Sequence, residues 1–225
     1  MQIRKFKTRQ DCEAAVQAQK AVWGLEDIDL LPAHFIIAAN DFAEQWGAFE
    51  RGKLAAIAFA YPSGGGYMLH MLGVLPKHRG KGLGFKLLDA VTKSLKKQGV
   101  KKLFWTFDPF DFANSHLYFN KTGALGTKVM FDYYGRLRSA HHGKLPTHRL
   151  FAELDLTAPP KKFKKQTESL LPMNEADIRK PGVKNAAKIL DKFFKEADAL
   201  ISKGYFAAGI NFDKQSEGAK LIFKK

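Results

Sequence analysis

The sequence is poor in cysteine and has no long apolar run. Cys12 is its only cysteine, so the chain cannot form an internal disulfide and a reducing cytoplasm is the expected compartment. The apolar period around Cys12 predicts an amphipathic helix, on which a buried thiol is favoured over a nucleophile. No stretch approaches the roughly 18 apolar residues of a membrane span, and Met1 to Lys7 lacks the apolar core of a secretory signal. We therefore expect a cytoplasmic protein without membrane association.

Acidic residues are also scarce in this chain. Lys and Arg number 37 and Asp and Glu number 22, which gives a formal net charge of +15. Such a balance is compatible with a basic nucleic-acid-associated module. The excess is spread over the whole length, however, and neither a zinc-finger nor an RNA-recognition signature is present. A solvated, lysine-rich surface is therefore favoured over a nucleic-acid partner.

The most informative stretch changes from a strand pattern to a helix pattern within a few residues. Tyr67 to Leu75 is an almost unbroken apolar run, which is typical of a strand buried on both faces. Pro76 then ends the strand, because proline cannot donate a backbone hydrogen bond. The helical spacing of apolar residues predicts a helix that ends at Gly99; these residues are Leu87, Leu88, Val91 and Leu95. A second apolar strand is predicted at Lys102 to Asp108, parallel to the first because a helix connects the two.

The loop between strand and helix has the composition of an anion site. Gly80, Gly82 and Gly84 alternate with basic residues, and the free N–H groups of a helix start attract negative charge. Neither the Walker loop nor the dinucleotide fingerprint matches this spacing. A tight turn with solvated cations is the other interpretation of the same residues.

The segment resembles the pyrophosphate-binding motif of the Gcn5-related N-acetyltransferase (GNAT) superfamily. Val74-Leu75-Pro76 is followed by Arg79-Gly80-Lys81-Gly82-Leu83-Gly84, which matches the pattern R/Q-x-x-G-x-G/A after a hydrophobic residue and proline. The similarity extends to residue 156, most closely to a little-characterised branch with MLGVLP, WTFDP and LPTxR-like segments. It implies an α/β fold with a mixed central β-sheet flanked by helices.

The same resemblance implies acetyl-CoA (coenzyme A) as cosubstrate and a set of contacts to it. The pyrophosphate is expected on Arg79, Gly80, Lys81, Gly82, Leu83 and Gly84. The pantetheine arm is expected on the backbone of Leu72, Gly73 and Val74, which requires a strand edge that splays open. Asn114 commonly contacts this arm in the family. A helix cap by Asn114 or by Asp111 is the alternative interpretation.

The implied reaction is attack by a neutral amine on the thioester, followed by release of the thiol. In the family a tyrosine four residues before the helix-ending glycine often protonates the thiolate. Here Phe119 has that position, and Tyr118 precedes it by one residue, which rotates a side chain by about 100° on an α-helix. Tyr118 is the candidate general acid. A thiol with a pKa near ~8.5 can also leave without one.

His70 and Asp108 are the candidate general bases. His70 lies on the central strand, and alternation predicts that it shares a face with Leu72 and Val74. A hydrogen-bonded core histidine is the competing interpretation. Asp108 follows the second parallel strand, at the edge where ligands bind in such sheets, although it can also form the turn before Pro109. His116 is a weaker candidate, and a bound water can also relay the proton.

No metal is expected, and the acceptor cannot be identified from sequence. The histidines at 141, 142 and 148 lack zinc-ligand spacing and have no cysteine pair beside them. The predicted function is acetyl transfer to a small-molecule or peptide amine. A degenerate protein that binds coenzyme A without turnover is the alternative, supported by Phe119.

The domain prediction divides the chain into three parts. Residues 1–156 form the acetyltransferase domain, and residues 157–182 form a linker, which begins with two prolines and several lysines. Residues 183–225 form a small α+β extension of one helix and a hairpin. One helix and a hairpin make a small core by themselves, so we expect the extension to dock on the first domain or to pair with a second copy of the chain.

Overall fold

The protein folds into two compact units of α/β structure. A computed structural model describes residues 1–135, 139, 145–159, 161–180, 183–212 and 218–225. The first unit contains Met1–Phe104 together with Ser139, and the second contains the rest of the described chain from Trp105 on. Each unit is built around its own part of a β-sheet.

Five strands and three α-helices are described in the first unit. Its strands are β1 (Gln2–Lys5), β2 (Glu44–Glu50), β3 (Lys53–Ser63), β4 (Gly66–Val74) and the start of β5 (Lys102–Phe107). Its helices are α1 (Arg9–Trp23), α2 (Ala33–Ala38) and α3 (Leu83–Lys97). The strands follow one another in chain order across the sheet, and β1 to β4 pair antiparallel. β4 and β5 pair parallel, as the helical connection predicts, so the sheet is mixed.

Local signals in the sequence explain where α1 begins and ends. The Thr8 hydroxyl accepts a hydrogen bond from the Asp11 backbone N–H, and the Asp11 carboxylate accepts one from the Thr8 N–H, which forms a capping box. Gly24 ends the helix with a φ of 61°. The inner face of α1 packs into a core with α2 and β3, in which Ala15, Ile36 and Phe59 are buried.

The described residues of the second unit form five antiparallel strands and three helices. Its strands are β6 (Leu125–Met130), β7 (Arg149–Asp155), β8 (Gln166–Leu171), β9 (Phe206–Phe212) and β10 (Ala219–Lys224), in the order β7-β6-β9-β10-β8. Its helices are α4 (Phe112–Ser115), which continues into a π-helical turn at His116–Lys121, α5 (Glu175–Ile178) and α6 (Ala186–Ser202). The range 157–182, predicted as a linker, contains β8 and α5.

The C-terminal residues pack on the earlier part of the second unit. β9 pairs with β6 at Gly126↔Ala207, and α6 lies against β6, β8 and β9. The apolar stripe of α6 is buried, and Phe193 meets Phe110 edge-on with 5.3 Å between ring centroids. The predicted helix and hairpin of the extension therefore complete a core that begins at Trp105. The domain boundary at residue 156 stays a prediction.

The helices show no sign of membrane insertion. Throughout the described chain, every helix is too short or too polar to span a bilayer.

Candidate active site

The glycine loop leads directly into an uncapped helix start. After a short turn at Pro76–His78, Gly82 takes a left-handed conformation with a φ of 70°, and α3 begins at Leu83. No side chain in the described part of the chain caps this helix. The backbone N–H groups of the first helical turn are therefore available to an anion, and the helix dipole adds to their attraction.

Two basic side chains flank this helix start. Arg79 and Lys81 are exposed, and the Arg79 Nε donates a hydrogen bond of 3.2 Å to the Val74 carbonyl oxygen. This bond connects the end of β4 with the loop. Gly80, with a φ of 74°, has open space where a Cβ would lie, so the loop leaves room for a ligand. Of the six residues predicted to bind a pyrophosphate, Arg79 to Gly82 thus form an exposed, positively charged surface, whereas the Leu83 side chain is buried.

β4 presents an open backbone edge next to this loop. Its parallel pairing with β5 covers Tyr67↔Leu103 and Met68↔Phe104. On the other edge, β3 pairs with β4 as far as Val74. Among the described residues, no strand pairs with the β5-side edge of β4 beyond Met68. The predicted backbone ligands Leu72, Gly73 and Val74 lie on this open stretch.

Gly73 is required by packing as well as by position. A Cβ at Gly73 would lie 2.8 Å from a ring carbon of Trp23 on α1. Real Cβ atoms do not approach so closely, so a larger residue would force the Trp23 ring or the backbone of β4 to move. The close approach of α1 fixes the backbone of β4 at the point where the pantetheine arm is expected.

His70 is the extra residue of a β-bulge in β4. Phe59 pairs with Met71 and Ala60 pairs with Leu69, which leaves His70 without a partner on β3. Its side chain is exposed, and its ring lies 6.0 Å from that of Tyr61. The prediction that His70 shares a face with Leu72 and Val74 is wrong, because the bulge breaks the alternation. The alternative of a buried core histidine is wrong as well.

The surroundings of His70 suit a proton acceptor. Although the side chain is exposed, desolvation by the surrounding protein lowers the pKa of His70 below its ordinary value of 6.5. The imidazole is therefore neutral at pH 7 and can accept a proton from an ammonium group or from water. The prediction that β4 is buried on both faces is also wrong, because its residues alternate between buried and accessible.

Asp108 lies in a buried ion cluster of the second unit. One carboxylate oxygen is 2.7 Å from an Arg179 nitrogen and 3.9 Å from an Arg149 nitrogen. The other oxygen accepts a hydrogen bond from the Phe110 N–H. Through these contacts, Asp108 connects the end of β5 with α5 and β7, which gives it a structural role. Its role as a base stays a prediction.

Glu175 belongs to the same cluster and was missed by the sequence analysis. Its backbone N–H donates to the Phe110 carbonyl, and its carboxylate accepts a bond of 3.0 Å from Arg179. Desolvation, together with the nearby charges of Asp108 and Asp111, raises the pKa of Glu175 to about 7. It lies on α5, inside the range predicted as a linker, and no motif in the sequence marks it.

Asn114 is held by the residue that caps α4. Asp111 is the N-cap, and its carboxylate accepts hydrogen bonds from both the backbone N–H and the side-chain amide of Asn114. The cap is therefore Asp111. The side-chain oxygen of Asn114 is not used by these bonds, so its contact with the pantetheine arm stays a prediction.

The π-helical turn changes the positions of Tyr118 and Phe119. The Ala124 N–H donates to the Tyr118 carbonyl, so a C-cap bond that normally spans five residues here spans six. The turn thus contains one extra residue before Gly123. In a regular α-helix, the fourth residue before Gly123 would be Phe119. With the extra residue in the turn, Tyr118 takes that place instead.

The Tyr118 side chain is buried among aromatic rings. Its ring lies 4.8 Å from Trp105 and 5.0 Å from Phe107. Burial raises the pKa of its hydroxyl, so Tyr118 keeps its proton at neutral pH. A protonated hydroxyl is what a general acid needs, and a π-turn commonly marks a functional position. The role of Tyr118 stays a prediction.

Two further histidines, His148 and His116, have structural partners. His148 accepts a hydrogen bond from the Asp132 N–H at Nδ1, and its Nε2 lies 2.8 Å from Asp191. His141 and His142 lie outside the described residues. His116 lies beside Asn120, with 3.2 Å between their side-chain nitrogens.

Comparison with known proteins identifies the family. No curated protein matches the sequence. Among solved structures, the ribosomal-protein-S18-alanine N-acetyltransferase from Escherichia coli has 18% identity, covers 73% of this chain and 99% of its own, and gives a TM-score of 0.56. The aminoglycoside 6'-N-acetyltransferase from Enterococcus faecium has 17% identity, covers 72% of this chain and 100% of its own, and gives a TM-score of 0.55.

A third solved structure, Ard1 from Thermoplasma volcanium, has 14% identity, covers 70% of this chain and 98% of its own, and gives a TM-score of 0.56. These similarities confirm the mixed-sheet α/β fold that the motif predicted. The acetyltransferase (GNAT) family model matches residues 10–123, which include β4, the glycine loop and α3. The chain therefore belongs to the GNAT family of acetyltransferases.

Proposed function

We propose that this protein transfers an acetyl group from acetyl-CoA to a primary amine by direct attack. The observation that carries the proposal is the uncapped N-terminus of α3 next to the open edge of β4. The first offers N–H groups and cations to a diphosphate, and the second offers backbone groups to an extended amide-containing chain. Acetyl-CoA combines these two parts in one molecule.

The proposed chemistry needs a base, an oxyanion donor and a leaving group. His70 accepts a proton from the ammonium form of the acceptor, directly or through water, and thereby provides the neutral amine. The amine nitrogen attacks the thioester carbon. A backbone N–H on the open edge of β4 stabilises the negative oxygen of the tetrahedral intermediate. The C–S bond then breaks, and the thiolate takes a proton from Tyr118 or from solvent.

Replacement of Gly82 by Glu tests the cofactor site. The variant adds bulk and a negative charge where the diphosphate is expected, so acetyl-CoA binding should be lost. Arg79→Ala should weaken binding by about 1–3 kcal/mol, as expected for a charge-assisted hydrogen bond. Both are measured by isothermal titration with acetyl-CoA, beside a thermal melt.

Gly99→Glu is a matched control for this test. Gly99 lies just beyond the other end of α3 and has a φ of 75°, close to the 70° of Gly82. Both variants therefore carry the same backbone strain, about 1 kcal/mol or more. Unchanged affinity in a folded Gly82→Glu protein would remove the cofactor assignment. Tight binding without acetyl transfer to any amine would instead favour a protein that binds coenzyme A without turnover.

A further inference from the structure

Acidic residues are concentrated in one segment of this basic chain. Residues 21–50 contain six Asp and Glu and no Lys or Arg, although the whole chain has a net charge of +15. Five of the six are exposed, which are Glu26, Asp27, Asp29, Asp41 and, at the end of β2, Glu50. Asp27 is paired with Lys20 at 2.5 Å, so its charge is partly neutralised within the protein.

The same segment exposes large apolar side chains. Four are found there, with exposed fractions of 70% for Ile28, 41% for Phe35, 43% for Ile37 and 48% for Phe42. We call these four residues, together with Glu26, Asp27, Asp29 and Asp41, the acidic–apolar surface. Large exposed side chains grouped in this way are typical of a binding surface. Their position on the outside of the fold, rather than in an enclosed cavity, suits an extended chain.

Ring contacts connect this surface with the candidate base. Phe35 on α2 lies 6.4 Å from Phe59, Phe59 lies 6.3 Å from Tyr61, and Tyr61 lies 6.0 Å from His70. All four residues belong to the first unit. A ligand that places an apolar group against Phe35 is therefore on the same face of β3 and β4 as His70. The bulge in β4 is what turns the imidazole to that face.

We propose that the acidic–apolar surface binds the N-terminal segment of a basic peptide, whose first side chain is large and apolar and whose α-amine is acetylated. The inference rests on the proposed function and names its acceptor class. The apolar first residue packs against Phe35 and its neighbours, which places the α-amine towards His70. The basic residues that follow pair with Glu26 and Asp41. The positive charge over the rest of the chain repels such a peptide, so the acidic segment also orients it.

The transfer itself balances without another reactant. The peptide α-amine forms the N–C bond, the C–S bond of acetyl-CoA breaks, and one proton passes from nitrogen to the base and finally to the thiol or solvent. The products are an Nα-acetylated peptide and coenzyme A.

A set of synthetic peptides tests the proposal with the full-length protein. The reference peptide begins with Phe and continues with Arg and Ser, so its α-amine is its only acylatable amine. One comparison peptide begins with Gly, and another has Glu in place of Arg. Phenethylamine is the small-molecule comparison. Thiol release from acetyl-CoA is followed for each, and mass spectrometry locates the acetyl group.

The expected result is a preference for the Phe–Arg peptide. Its kcat/KM should exceed that of each comparison compound about 10-fold or more, and its KM should rise with salt, because exposed charges are screened. Glu26→Gln with Asp41→Asn should raise its KM about 3- to 10-fold, as expected for two exposed ion pairs. Phe35→Ser should remove most of the preference for Phe over Gly.

A control variant and a binding measurement separate the two proposals. Asp89→Asn removes an exposed acid on α3 that pairs with Lys93, outside the surface, and it should leave the KM unchanged. Equal or higher kcat/KM with the Glu peptide, the Gly peptide or phenethylamine overturns the peptide proposal, as does no turnover of the Phe–Arg peptide. Isothermal titration with acetyl-CoA alone then decides on the proposed function, which fails together with the peptide proposal only if acetyl-CoA does not bind.

Discussion

A single inserted residue decides what His70 can do. In a regular strand, His70 would share a face with Leu72 and Val74, but the bulge opposite Phe59 and Ala60 turns it towards Tyr61. The pKa of His70 is lowered by desolvation, so the residue is uncharged over most of the neutral range. A base must be deprotonated to act, which makes the activity depend on pH in a definite direction.

His70→Ala should lower kcat about 100-fold or more and leave the Kd for acetyl-CoA unchanged. In the unchanged protein, kcat/KM should fall on the acid side, with an apparent pKa below 6.5. That acid limb should be absent in the variant. Steady-state rates across a pH series check both points.

Asp108→Asn is the informative comparison for His70. It leaves Arg179 with a weakened partner in a buried cluster, so it should lower the melting temperature more than the rate of a folded sample. Equal turnover in both variants would point to a water relay or to another residue.

At the scale of elements, periodic patterns in the sequence predicted the helices well. The helix predicted around Cys12 is α1, and the helix predicted to end at Gly99 is α3, because apolar spacing, Gly24 and Gly99 act locally. The features that were not predicted are those set by neighbouring segments of the same chain. The β-bulge at His70 depends on pairing with β3, and the π-turn before Gly123 depends on packing in the second unit. Neither has a local sequence signal.

The same distinction explains the candidate site. The glycine loop could be predicted because each of its residues acts through its own backbone or charge. Glu175 could not, because its raised pKa is produced by burial in the folded protein and by the charges of Asp108 and Asp111, which are more than sixty residues away in sequence. β8 and α5 were missed because short polar segments have little periodicity of their own.

The π-turn makes a specific prediction about the general acid. Tyr118→Phe should lower kcat by about 10- to 100-fold, because a proton donor to the thiolate is lost while the ring remains. Phe119→Tyr should not restore the rate in the double variant, since the extra residue in the turn points position 119 elsewhere. Thiol-release rates under saturating acetyl-CoA measure this. Full recovery in the Tyr118→Phe/Phe119→Tyr double variant would show that this turn is a regular α-helix, without the extra residue.

At the scale of the whole molecule, the C-terminal part supplies partners for earlier elements of its unit. The Asn120 side chain donates to the Ile210 carbonyl and accepts from the Ile210 N–H. Phe110 packs on Phe193, and Asp108 pairs with Arg179. Without these partners, apolar side chains and one strand edge would face water.

Truncation after Leu156 should therefore give a protein that aggregates and melts at a lower temperature. Phe193→Ala in the full chain should lower the free energy of unfolding by about 3–5 kcal/mol, as expected for a buried phenylalanine. Size-exclusion chromatography and denaturant titration check the two variants. A truncated protein that stays monomeric and as heat-resistant as the full chain would contradict this account.

The cluster around Glu175 also couples folding to proton uptake. A carboxyl group with an ordinary pKa of 4.5 in the unfolded chain and about 7 in the folded one binds a proton as the chain folds. Its contribution to stability is complete below pH 4.5 and is lost as the pH rises through about 7. Acidification weakens many folded proteins by protonating paired carboxylates, but at Glu175 it stabilises the folded state. Alkaline conditions instead add a negative charge beside Asp108 and Asp111.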